Sequence, residues 1–172
     1  MTQLAPALIP LDGVDPALVE QLLDRAFGPG RLERTAYKVR GQAQCLPALS
    51  FAMIDDGDLL LATIQAWPVA LTDAAGRKHP LIMVGPVAVL PEHQGQGLGT
   101  ALMLAQAQAM DPAAPLPRVL IGDAPYYGRF GFTAAHTHGW TLPGPWEPER
   151  LLLACENPAV LPREGTLGPW KS

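Results

Sequence analysis

Three glycines at alternate positions, Gly95, Gly97 and Gly99, stand in the segment QGQGLG from Gln94 to Gly99. With no side chains to screen it, the backbone there lets successive amide N–H groups converge on one small anion. The apolar segment LIMVGPVAVL, Leu81 to Leu90, precedes the loop and has the character of a buried strand, while TALMLAQAQAM, Thr100 to Met110, follows it as an amphipathic helix. A helix behind the loop adds the positive end of its dipole. The chemistry expected of this stretch is therefore phosphate binding. Spacing excludes two nucleotide motifs: a dinucleotide fingerprint needs glycines at positions one, three and six, and a P-loop needs Gly-Lys-Ser/Thr, whereas Gly99 is followed directly by Thr100.

The stretch resembles the acyl-CoA loop of the GNAT superfamily of N-acetyltransferases, whose pattern is Gln or Arg, two residues, Gly, one residue, Gly or Ala. Gln94, Gly97 and Gly99 fill those places, with Gly95 and Gln96 between. The resemblance implies acetyl-CoA as co-substrate. It implies that the strand backbone at Val87, Ala88 and Val89 pairs with the pantetheine arm, and that Gln94, Gly95, Gln96, Gly97, Leu98, Gly99 and Thr100 hold the pyrophosphate. A second segment, DAPYYGRFGF from Asp123 to Phe132, is also similar to the family, in which a short helix presents a tyrosine four residues before a Gly-Phe pair. Tyr127, Gly131 and Phe132 occupy those positions.

In that family an amine attacks the thioester directly, so the resemblance makes Tyr127 the general acid for the departing sulfur and the backbone N–H near Val89 the oxyanion donor. A phenol near pKa ~10 giving its proton to a thiolate of a thiol near ~8.5 is uphill by roughly 2 kcal/mol. Two departures stand out. Leu81 to Val89 carries no ionisable side chain where many relatives have a carboxylate, which leaves proton removal to a water relay, to Asp123, or to no protein group. Gln96 stands where relatives often have arginine, so the loop holds no cation, and a modest affinity is expected. His93 is either a surface turn residue or, when protonated, an aid to the phosphates.

Other elements must position these groups. Gln3 to Pro10 has the pattern of a first strand. Asp15-Pro16 opens a helix with the stripe Leu18, Val19, Leu22, Leu23 and Ala26, stopped by Gly28-Pro29-Gly30. A second helix is expected from Arg31 to about Val39; by resemblance this pair walls the acceptor site, with Glu33, Arg34 and Tyr37 either touching substrate or lying on a solvated face. Leu46 to Ile54 and Leu59 to Trp67 are expected strands around the turn Asp55 to Asp58, the second apolar on both faces and hence central. Thr72 to Pro80 is expected as an exposed loop, and Leu81 to Val89 as the fourth strand. Gly85-Pro86 predicts a bulge or break in its pairing.

The glycine-opened helix is expected to bury Leu98, Ala101, Leu102, Ala105 and Ala109. Arg118 to Gly122 is the fifth strand, His136 to Trp146 a loop or irregular strand, Arg150 to Glu156 the last strand, and residues 157–172 an unassigned extension. The resemblance covers Leu81 to Met110 and Arg118 to Phe132, with element order alone matching elsewhere. It implies an α/β (α+β) fold, with a central mixed, mostly antiparallel sheet, splayed fourth and fifth strands, and helices on both faces. One N-acetyltransferase domain over residues 1–172 is expected.

Composition narrows the partners. Of 172 residues, 48% are hydrophobic and 16% charged, which argues for a packed core. A net charge of −4 offers no footprint for nucleic acid or an anionic membrane, and no apolar run reaches the ~18 residues of a membrane span. Cys45 and Cys155 make no metal-ligand cluster, and a reduced, cytoplasmic protein is the expectation. His136 and His138 alternate, yet no further ligand stands near, so no metal is expected. Trp146 and Trp170 are either contacts in a homodimer or packed ends. Two functions compete: acetyl transfer to a primary amine of a small molecule or peptide, and a non-catalytic acyl-CoA-binding or regulatory module of the same fold.

Overall fold

The computed structural model describes residues 5–170. Its strands form a mixed, mostly antiparallel sheet: β1 (Ala7–Pro10), β2 (Phe51–Ile54), β3 (Leu60–Thr72), β4 (Lys78–Val89), β5 (Arg118–Ile121) and β7 (Leu151–Ala154) are neighbours in that order. β6 (Gly139–Thr141) pairs with β8 (Glu164–Pro169), which also pairs with β3. The helices are α1 (Pro16–Phe27), α2 (Thr35–Arg40), α3 (Leu98–Ala109) and α4 (Ala124–Tyr127).

The chain divides into two compact units. The first comprises the chain up to Arg31, Cys45–Ala66 and Gly85–Pro112; the second comprises Leu32–Gln44, Trp67–Val84 and the chain from Ala113. β3 and β4 each run through both.

In the first unit β1, β2 and the start of β3 make an antiparallel ladder. Asp15 caps α1 by accepting the Ala17 N–H at 3.0 Å, Pro16 supplies a preset φ, and Gly28 ends the helix at φ 85°. α1 buries Val19, Leu22 and Leu23, but Leu18, expected on the stripe, is 45% exposed. The buried Arg31 guanidinium is matched by Asp24 at 2.8 Å and by Glu20, as a buried cation requires. α3 lies against β2 and buries Leu98, Leu102, Met103 and Gln106, whereas Ala109 is exposed. Gln106 escaped the apolar pattern because it is polar; its Nε2 donates to the Leu49 carbonyl at 3.0 Å.

The second unit is built on Val69, Leu71, Leu81, Met83, Val119, Leu151, Leu153 and Leu167, with Trp140 and Leu142 packed among them. β8 corrects the unassigned extension: its Leu167 is fully buried and pairs with Leu71. Glycine and proline within EGTLGP hid this strand from pattern reading. Two further corrections have turn chemistry as their cause. Leu46 to Ser50 is not strand, because Pro47 opens a 3-10 turn. The expected loop Thr72 to Pro80 contracts to a hairpin turn, in which the Asp73 carboxylate accepts from the Ala75 and Arg77 amides at 2.9 Å each. The expected second helix is a 3-10 turn, Arg31–Glu33, followed by α2. Gln3 and Leu4 of the expected first strand lie outside the described residues, as do residues 171 and 172 of the C-terminal extension.

Candidate active site

The sequence places a strand, a loop and a helix in succession, and the structure fixes how they join. β4 carries Val87, Ala88 and Val89 to Leu90, whose N–H donates to the Leu61 carbonyl of β3 at 2.9 Å. A 3-10 turn, Pro91–His93, then hands the chain to Gln94. Gly95 and Gly97 both stand at positive φ, 81° and 80°, which a side chain would oppose. A Cβ at either would meet nothing within 4 Å, so conformation rather than crowding sets the requirement for glycine. Gln94 to Gly97 are exposed, and α3 begins at Leu98, earlier than its apolar pattern suggested.

Gly97 is the N-cap of α3 and no side chain caps the helix. The first amides of the helix, those of Leu98, Gly99 and Thr100, therefore lack the intrahelical acceptors of later turns and open at the exposed loop. A diphosphate fits that arrangement: it needs several N–H donors, a positive dipole and no side chain in its way. Upstream, the β4–β5 ladder consists of Ile82 with Arg118 and Met83 with Val119 and extends no further. It stops just short of Gly85, which stands at φ 121°. The Gly85-Pro86 signal for broken pairing thus corresponds to a real end of the ladder.

The loop itself has no cation, yet one stands close by. Arg25, near the end of α1, is ion-paired with Glu92 in the turn that enters the loop. The backbone amide of Glu92 itself, and then Arg25, hold its carboxyl below the usual range. Sequence reasoning had no means to pair residues 67 positions apart. His93 Nδ1 lies 3.1 Å from Gln96 Oε1, which makes that nitrogen the donor and ties the two side chains to each other.

Tyr127 belongs to the second unit, where it ends α4 with its N–H donating to the Asp123 carbonyl at 2.9 Å. Its ring is set edge-on to Tyr126, with centroids 4.8 Å apart, and to Phe132 at 6.3 Å. Burial first, and then the neighbouring Tyr126, push the phenol up to about 12. Among the described residues no hydrogen bond engages its hydroxyl. A phenol at that value stays protonated through the whole neutral range, as a proton donor must. The uphill step to a thiol near ~8.5 grows to about 5 kcal/mol, unless the sulfur is desolvated too and its own pKa rises.

Gly122, which sequence reasoning passed over, makes room for that ring. A Cβ there would sit 2.6 Å from Tyr127 Cε2 and 3.1 Å from Leu120 Cδ1. Its only sequence signal was a glycine at the end of a strand just before the tyrosine helix. Gly122→Ala is expected to push the Tyr127 ring aside and to lower turnover at least about tenfold if Tyr127 is the acid, with a small change in melting temperature. Side-by-side kcat and thermal melts check this. Of the acceptor-wall candidates, Glu33 and Arg34 are exposed, while Tyr37 stacks under the buried Arg40 guanidinium, 3.7 Å from its centroid; Arg40 also lies 3.9 Å from the Trp67 ring. Asp123, an alternative base, is exposed.

Comparison with known proteins decides what this arrangement belongs to. The model of the acetyltransferase (GNAT) domain matches residues 18–135, more than half of the chain. The chain belongs to the GNAT acetyltransferase family. A GNAT N-acetyltransferase from Escherichia coli, YhbS, solved in complex with CoA, superposes with a TM-score of 0.71 over 90% of this chain and 83% of its own, at 21% identity. A GNAT acetyltransferase from Brucella melitensis, solved with acetyl-CoA, is 25% identical, with a TM-score of 0.53 over 88% of this chain and 96% of its own. An uncharacterised N-acetyltransferase of Streptomyces avermitilis is 32% identical over 102 residues, 58% of this chain. This chain matches about a quarter of that relative's length, 24%. The GNAT match spans the glycine loop and Tyr127 alike, so both segments that carried the resemblance lie within it.

Proposed function

We propose that this GNAT chain transfers an acetyl group from acetyl-CoA to a primary amine of a small molecule or peptide. The observation that carries the reading is the exposed loop with Gly95 and Gly97 at positive φ, opening onto an uncapped 12-residue helix directly after β4. Gln94 to Thr100 hold the diphosphate through main-chain N–H groups. Val87 to Val89 hold the pantetheine arm by their backbone, and the N–H near Val89 receives the developing negative charge. Acetyl-CoA supplies the acetyl group as an activated thioester. Tyr127 keeps its proton until the sulfur departs and then gives it up. The Brucella melitensis relative, solved with acetyl-CoA, supports the choice of carrier.

No ionisable side chain stands on β4 between Leu81 and Val89, so the amine loses its proton through water. The rate is expected to rise with pH until the amine is neutral. With the Tyr127 phenol at about 12, the rate should not fall again below about pH 11 on its account. A pH profile showing an essential enzyme carboxylate near pH 5 contradicts the water relay.

That same bare strand favours a second reading, a module that binds the thioester and does not turn it over. A panel of amines with acetyl-CoA and free-thiol detection separates the two. Amine-dependent thiol release supports the enzyme; saturable binding without release supports the module. The chain is proposed to act as one cytoplasmic domain, without nucleic acid, membrane or metal.

A further inference from the structure

β3 is a central strand whose residues from Leu60 to Ala66 are buried on both faces. Two of its side chains do not suit that position. Thr63 is fully buried and Gln65 is 8% exposed, and among the described residues neither the Thr63 Oγ1 nor the Gln65 Oε1 has a hydrogen-bond partner. Residues two apart on a strand share a face, so the two oxygens form one polar strip in an apolar setting. Buried polar atoms are nearly always satisfied, and an orphaned one commonly marks a place completed by something else.

Strand register says what stands opposite. The Leu90 N–H donates to the Leu61 carbonyl. Four residues along β3 from Leu61 is Gln65, and four back along β4 from Leu90 is Pro86. Gln65 therefore stands across from the Gly85-Pro86 irregularity, where Gly85, Pro86 and Val87 are only half-buried, beside the stretch proposed to hold the thioester arm. An amide oxygen accepts hydrogen bonds and takes no proton at neutral pH. Its complement is an N–H donor small enough to enter a nearly closed place, and a primary amine is such a donor.

We propose that Gln65 binds the acceptor amine, its Oε1 accepting one amine N–H while the nitrogen lone pair stays free to attack. The inference rests on the acetyl-transfer reading above. It adds a substrate-binding residue on β3, where β4 offers no side-chain acceptor between Leu81 and Val89. The new C–N bond forms as the C–S bond breaks, the sulfur takes the Tyr127 proton, and the amine's surplus proton leaves through water.

Gln65→Met keeps the length of the side chain and removes the acceptor. Acetyl-CoA affinity by calorimetry is expected to stay within about twofold of wild type, and kcat/KM for the amine to fall about tenfold, chiefly through KM. Should Met disturb the core, Gln65→Asn withdraws the same amide by one methylene and is expected to show the same loss. A second readout does not depend on turnover. In the amide spectrum of 15N-labelled protein loaded with CoA, the Gln65 side-chain NH2 pair, assigned by its absence in Gln65→Met, is expected to shift on adding an acetylatable amine. A stationary pair, or a kcat/KM within about twofold of wild type in both variants, overturns the proposal. Wild-type protein that fails to bind acetyl-CoA overturns the acetyl-transfer reading, and this inference with it.

Discussion

Tyr127→Phe is expected to lower kcat by roughly a hundredfold or more, and to leave acetyl-CoA affinity within about twofold of wild type. The change removes one oxygen from a ring whose place is set by Tyr126, Phe132 and the space left at Gly122. Its hydroxyl supports no other group among the described residues, so the fold has little to lose. Loss confined to kcat identifies an interaction made only as the reaction proceeds. The size of the loss should follow the leaving group. An acetyl thioester of a more acidic thiol needs less help from an acid, and the variant should recover part of its rate with it. An unchanged kcat with acetyl-CoA would remove Tyr127 from the chemistry.

Gly97→Asp is expected to weaken acetyl-CoA binding by roughly a hundredfold or more, with the fold intact. Aspartate tolerates the left-handed conformation better than most residues and is a favourable N-cap, so α3 should form normally. Its carboxylate would nevertheless stand where the proposed main-chain site seats the diphosphate. One unit charge ~5 Å from another at an effective dielectric of ~20 costs about 3 kcal/mol, which is over a hundredfold in affinity. Gly97→Asn has the same shape and no charge and should lose far less. Calorimetry at fixed salt on the pair isolates the charge, and equal losses would place the diphosphate elsewhere.

Local signals in the sequence were sufficient wherever the chemistry is local. Asp15-Pro16 opened α1, the glycine loop announced α3, though two residues late, and Gly85-Pro86 marked the end of the β4–β5 ladder, because each acts through its own φ or its own missing donor. Tyr127 was singled out by the resemblance of its segment, through its spacing from Gly131 and Phe132, and its role as the acid is a proposal. What stayed hidden depends on partners distant in sequence. β8 has the weak pattern of EGTLGP and exists through pairing with β3 and β6. Arg25 reaches Glu92 only once α1 is folded, and the importance of Gly122 appears only when the Tyr127 ring lies over it. Gln65 reads as ordinary alternation until its burial and its orphaned oxygen are known.

Isothermal calorimetry of the wild-type protein with acetyl-CoA, repeated with Gly97→Asp, addresses the main-chain cradle most directly. Saturable one-to-one binding that the aspartate all but abolishes is the expected result. Absence of heat with the wild type, or binding of equal strength in the two proteins, would contradict it.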